Sequence, residues 1–236
     1  AGGVNAMAGG GSLLVFPALL AVGLPPLAAN VTNSIAQWPG YVGIIAAARR
    51  DLHGQRRRVL LTSAVAAAGS AVGCALLLVL PAAVFDAVVP VLVLLASALF
   101  ALQPYVRRLT RTPGTRGQDR LAVLLPAVFA AAAYGGYFGG ALGVILMATL
   151  ALCTHEGLVR LNVLKGMLSL VIATVTVVVF AIGAPVDWLA VVLIAPATLV
   201  GGYLGAKLAR RQSESVLRWS VVALGVAVGT YLLVGT

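Results

Sequence analysis

The sequence predicts an all-α polytopic membrane protein built as two inverted-topology repeats, each a glycine-broken helical hairpin followed by three transmembrane helices. Three observations lead there. First, 61% of the 236 residues are hydrophobic and only 9% are charged, whereas a soluble domain carries roughly 25% charged residues. The mean hydropathy of +1.06 agrees. Second, long apolar runs alternate with short basic clusters, and the runs lack the two-residue alternation of barrel strands. Third, the sign of the charge on equivalent loops swaps between the two halves.

The elements follow in order. Ala1–Val22 is apolar but interrupted at Gly9-Gly10-Gly11. Leu27–Ala48 is a span ending at Arg49-Arg50. Val59–Leu80 ends at Pro81, and Val84–Leu102 ends near Pro104. Tyr105–Arg120 is a polar linker. Leu121–Cys153 is too long for one ordinary span and is interrupted at Gly135-Gly136 and Gly139-Gly140. Leu158–Ile182 ends at Gly183-Ala184-Pro185, Trp188–Ala206 ends at Lys207, and Val216–Val234 is the last span. Pro17, Pro39, Pro90, Pro126 and Pro196 lie within spans, where proline kinks a helix.

Of 16 Lys and Arg residues, 14 fall in three clusters: Arg49–Arg58, Arg107–Arg120 and Lys207–Arg218. The turns Pro81–Asp86 and Gly183–Asp187 hold no basic residue. By the positive-inside rule the three clusters are cytoplasmic and the two turns face outward. Parity then requires Leu121–Cys153 to enter and leave on the same side, as a hairpin folding back at Gly139-Gly140, either re-entrant or as two short spans. The first segment has the same shape. A shift of 132 residues sets Gly11 on Gly143, Asn30-Val31 on Asn162-Val163, Gly69 on Gly201 and Gly73 on Gly205. Under that shift the basic loop Arg49–Arg58 meets the unbasic turn Gly183–Asp187, the signature of an inverted repeat. The expected organisation is a first repeat over 1–104, a cytoplasmic linker over 105–120 and a second repeat over 121–236. The first hairpin is expected to be truncated at its N-terminus, because it would begin upstream of Ala1.

The net charge of +10 does not indicate nucleic acid, since the basic residues sit in loops between spans and not across a domain face. Cys74 and Cys153 both lie in apolar runs, which argues against a disulfide. All six acidic residues lie at loops or span boundaries, which disfavours a proton pump or a carboxylate-caged cation carrier. No metal or cofactor motif is present, and none is expected to be bound.

The groups that could carry chemistry surround the glycine breaks. A helix restarting inside a membrane aims its first N–H groups and positive dipole end at the break, which makes an anion site. Gly10, Gly11 and Ser12 form one such terminus; Gly140 and Gly143 form a second from the opposite side. The competing reading is close helix packing, and that reading is preferred for Gly69-x-x-x-Gly73 and Gly201-x-x-x-Gly205. Polar residues inside a span usually face the bundle interior. Here they are Asn30, Thr32, Asn33, Ser34 and Gln37 in the first half, and Asn162, Lys165 and Ser169 in the second. Lys165 lies seven residues past Leu158, about 10 Å along a helix. It either pairs with a translocating anion or snorkels to the headgroups. Arg160 reads as an interface anchor, and His155-Glu156 as an ordinary cytoplasmic turn in preference to a proton carrier.

Ala1-Gly2-Gly3, Gly9-Gly10-Gly11-Ser12, Pro17-Ala18-Leu19, Gly23-Leu24-Pro25-Pro26 and Ala28-Ala29-Asn30-Val31-Thr32-Asn33-Ser34 together resemble the sulfite exporter TauE/SafE (TSUP) family of transporters. The degenerate second copy, Gly139-Gly140-x-x-Gly143 with Arg160-Leu161-Asn162-Val163-x-Lys165, extends the resemblance over the chain but lacks counterparts of Pro17 and Pro25-Pro26. The resemblance implies a bacterial inner-membrane, multi-pass transporter of sulfite, organosulfonates or related small anions. Its partners would be that small anion and the lipid bilayer. The residues expected to bind substrate near the midplane are Gly10, Gly11, Ser12, Asn30, Asn33, Ser34, Gly140, Gly143, Asn162 and Lys165. An anion channel is the alternative. An intramembrane enzyme is disfavoured, because Ser12 and His155 are the only tempting pair and the repeat places them at different depths.

Overall fold

The computed structural model describes residues 1–7, 9–48, 56–105, 121–154, 157–208 and 214–234. Among these residues the fold is helical throughout, with no strand. Most of the three basic loops, and the pair His155-Glu156, lie outside the described residues.

Among the described residues, ten helices of six residues or more follow one another: α1 (Gly2–Met7), α2 (Ser12–Ala21), α3 (Pro26–Ala48), α4 (Arg56–Val79), α5 (Ala82–Ala101), α6 (Leu121–Tyr137), α7 (Leu142–Cys153), α8 (Leu158–Gly183), α9 (Trp188–Leu208) and α10 (Glu214–Val234). Four of them, α4, α5, α8 and α9, contain stretches long and apolar enough to cross a membrane. Helix α3 has 23 residues but is not among them. Asn30, Thr32, Asn33, Ser34 and Gln37 lower its hydropathy, and four of these five are buried. This helix therefore turns its polarity inward, as a span bordering a polar path must. Large apolar side chains face outward instead: Ile182 is 86% exposed while Phe180, two residues earlier, is fully buried. That outward apolarity suits contact with lipid tails and makes the chain a multi-pass membrane protein.

The most extensive packing pairs are α3 with α9 and α4 with α6. Small residues make both possible, because without a side chain two helix backbones can approach closely. A Cβ at Gly202 on α9 would lie 2.2 Å from the Gly40 carbonyl oxygen on α3, and one at Gly73 on α4 would lie 2.0 Å from that of Ala133 on α6. Gly69 presses on Phe129 in the same α4–α6 seam, while Gly201 and Gly205 press on Gly3 of α1. Both Gly-x-x-x-Gly pairs are packing surfaces. Helix α1 also packs on α9 and α3, α6 on α8, α4 on α8, α3 on α8, and α5 on α10.

Both hairpins are broken. Beyond the end of α1 stands Gly9 (φ +80°), whose N–H donates to the Val4 carbonyl at 3.0 Å; beyond the end of α6 stands Gly139 (φ +76°), whose N–H donates to the Tyr134 carbonyl at 3.2 Å. These left-handed conformations strain any residue with a Cβ. The sequence reading is corrected at one point. Gly135-Gly136 does not break the helix, and α6 runs through it to Tyr137. Gly136 is there for contact, since a Cβ on it would meet the Ser70 carbonyl oxygen of α4 at 2.3 Å. The helices restart at Ser12 and Leu142, so the two breaks are 130 residues apart and not the 132 that aligns the later spans.

Candidate functional site

The tips of the two hairpins meet. The Gly143 N–H donates to the Gly9 carbonyl at 3.3 Å, and a Cβ on either residue would lie 2.4–2.5 Å from the other's Cα, well inside van der Waals contact. Beside this crossing, where α3 passes α8, a half-open cavity spans ~330 Å³, open solvent included. Its polar lining is Ser12, Ser34, Gln37, Tyr41, Ser169 and Thr176. Its apolar lining is Phe138, Leu142, Ile172 and Ala173, with Gly135 and Gly139 between them. Phe138 is held edge-on by Phe16, with ring centroids 5.5 Å apart, and by Tyr134 at 6.3 Å.

The polar wall is organised by Gln37. Its Nε2 donates to Ser12 Oγ at 2.9 Å and to Asn33 Oδ1, and its Oε1 accepts from Asn5 Nδ2. Asn5 Oδ1 in turn accepts the Gly11 N–H at 2.7 Å. Asn5, Asn33 and Gln37 are each at most 3% exposed, and buried amides persist only when partnered in this way. Ser34 Oγ donates to the Asn30 carbonyl at 2.9 Å and Thr176 Oγ1 to that of Ala173 at 2.8 Å, ordinary back-bonds within a helix.

Each residue expected at the site can now be placed. Ser12 and Ser34 line the cavity. Asn33 and Gly11 border it at one remove, through Gln37 and Asn5. Asn30 is fully buried and donates from Nδ2 to the Tyr137 carbonyl at 2.9 Å, tying α3 to the end of α6. Gly10 abuts the Phe100 ring, and a Cβ there would lie 2.3 Å from it. Gly140 offers its carbonyl to the Tyr134 hydroxyl at 2.7 Å. The Gly143 N–H is committed to Gly9. Lys165 is 5% exposed, so protein covers it; it lies one turn from Ser169 toward Leu158, outside the cavity lining. Asn162 is half-buried a turn further along and is not a lining residue either.

Gln37 and Ser169 stand out in the sequence as polar residues within spans but are not among the expected site residues, and neither are Asn5, Tyr41 and Thr176. Asn5 is a polar residue in an apolar helix, the type of signal that marked Asn30. Phe138 carried no signal, since an aromatic residue in an apolar stretch is ordinary.

Comparison with known proteins agrees with a membrane protein. The family model described as "Sulfite exporter TauE/SafE" matches residues 1–232. The chain is 26% identical over 244 residues to the "Probable membrane transporter protein YfcA" of Escherichia coli, covering 99% of this chain and 86% of that one. It is 23% identical over 233 residues to the "Probable membrane transporter protein ORF9" of a Sinorhizobium species, covering 99% and 88%. It is 24% identical over 224 residues to a "Probable membrane transporter protein" of Haemophilus influenzae, covering 94% and 86%. No solved structure matches. The broken hairpins, the inward polarity of α3 and a family match along nearly the whole chain lead to one conclusion: this protein belongs to the sulfite exporter TauE/SafE family of membrane transporters.

Proposed function

We propose that the chain is a secondary carrier or facilitator for a small anion such as sulfite, an organosulfonate or a related sulfur oxyanion, and that it works in a bacterial inner membrane and not as an enzyme. The observation that carries this reading is the hydroxyl- and amide-lined cavity at the α3–α8 crossing, beside the touching tips of two broken hairpins. Transporters of this general design bind substrate near the midplane at the interface of two repeats, next to interrupted helices. The hydroxyl of Ser12 and, after rotation, that of Ser34 can donate to an oxyanion, and the starts of α2 and α7 add positive dipole ends nearby. Gly10, Gly11 and Asn33 support the first tip, and Asn30, Gly140 and Gly143 the second. Asn162 and Lys165 lie toward the Leu158 end of α8, where a buried cation favours an anion moving along the helix.

The packing pairs support two inverted repeats, one over 1–104 and one over 121–236, joined by a linker over 105–120. Exchanging α1, α3, α4 and α5 for α6, α8, α9 and α10 turns the α3–α9 contact into α8–α4, and α1–α9 into α6–α4. It leaves α3–α8 and α5–α10 unchanged. All of these contacts occur. Rocking one repeat against the other would then expose the cavity to alternate sides.

The test is uptake into proteoliposomes across sulfite, sulfate, thiosulfate, sulfoacetate and simple carboxylates. Saturable uptake with counterflow of one sulfur anion is expected. Uptake of none of them would overturn the assignment of substrate class, and unsaturable flux would make the protein a channel.

A further inference from the structure

We propose that Ser12 is an obligate hydrogen-bond donor to the transported anion, and that Asn5 and Gln37 are positioning residues that impose this polarity on it. The inference rests on the cavity being the anion's site, as read above.

The direction of each bond follows from chemistry. A backbone N–H can only donate, so the Asn5 atom 2.7 Å from Gly11 N is the oxygen Oδ1. Asn5 Nδ2 must then face Gln37, and the Gln37 atom that it meets must be the acceptor Oε1. This turns Gln37 Nε2, which has two hydrogens and no usable lone pair, toward Ser12 Oγ at 2.9 Å and toward Asn33 Oδ1. Ser12 Oγ therefore accepts on that side. Its own hydrogen is left for the cavity that Ser12 lines. Reversing any link would set two donors or two acceptors face to face among side chains at most 3% exposed, where an unmatched polar group is most costly.

Ser12 differs in this from the other hydroxyls that line the cavity with a bond of their own. Ser34 and Thr176 spend their hydrogens on helix carbonyls and offer lone pairs. The second hairpin has no equivalent relay: 130 residues beyond Asn5 and Ser12 stand Gly135 and Leu142. Of the two hairpin tips, that of α2 thus supplies the side-chain donor, Ser12, while that of α7 supplies an apolar side chain, Leu142.

Two measurements test this. In uptake of radiolabelled sulfite, Ser12→Ala is expected to raise KM by ~10-fold or more with little change in the maximal rate, the loss of one bond to a charged ligand, and Ser12→Thr is expected to recover most of it. In ligand-free protein, Gln37→Glu places an acceptor before Ser12. The Ser12 hydroxyl can turn and donate to it, so Gln37→Glu should lower the melting temperature less in the Ser12 protein than in the Ser12→Ala background. Wild-type KM in Ser12→Ala overturns the donor role. An equal or smaller thermal effect of Gln37→Glu in the Ala background overturns the relay. A wild type that takes up no sulfite overturns instead the transport reading on which the inference rests.

Discussion

The crossing of the two hairpin tips offers the sharpest test of the fold. Gly143 has no left-handed φ, so replacing it with alanine strains no dihedral and its cost is steric alone. The added Cβ would lie 2.4 Å from the Gly9 Cα and 3.1 Å from the Gly9 carbonyl oxygen. Non-bonded carbon pairs settle at about 3.5–4.0 Å, so the tips must part by about 1 Å. Both partners are backbone, and neither can rotate away. Overpacking of this type costs about 1–3 kcal/mol. Parting the tips also stretches the 3.3 Å bond from Gly143 N–H to the Gly9 carbonyl, worth about 1 kcal/mol. The total, about 2–4 kcal/mol, corresponds to a fall in melting temperature of roughly 4–16 °C for a chain of this size. The assay is thermal unfolding of purified Gly143→Ala in detergent, with Gly157→Ala as control; nothing lies within 4 Å of a Cβ at Gly157. A Gly143→Ala protein that melts with the wild type would refute direct contact between the tips.

Three further outcomes are expected. Thr32 Oγ1 accepts the Asp187 N–H at 2.9 Å, joining α3 to the turn before α9; Thr32→Val should cost about 1 kcal/mol, read as a lower melting temperature. Lys165→Ala should lower anion uptake about 10-fold or more through loss of a favourable charge while the protein still inserts, and wild-type rates in proteoliposomes would remove Lys165 from the path. A cysteine at Ala83, in the first turn of α5, should react with an impermeant maleimide from outside the cell, and one at Lys207 only after permeabilisation. Native Cys74 and Cys153 are buried and give little background, so the reverse pattern would invert the assigned topology.

The membrane location, the order of the spans and the existence of two broken hairpins could be read from residues in a row. Burying a polar group in lipid is so costly that composition alone separates span from loop, and the basic clusters at Arg49–Arg58 and Lys207–Arg218 give the spans an expected orientation through a rule that acts loop by loop. What lies around the cavity depended on tertiary structure. Gly139 and Gly136 are the same residue three positions apart, yet one ends a helix and the other lets Ser70 approach; only the neighbouring helix distinguishes these uses. Gly143 looked suited to anion binding until the first hairpin tip was found against it, taking its N–H. Lys165 and Ser169 lie one turn apart on α8, and the packing of α8 brings Ser169 rather than Lys165 to the cavity wall. The polarity of Ser12 depends on Asn5 and Gln37, which are 32 residues apart in the chain. Hydrogen-bond direction passes between such residues only after the fold has brought them together.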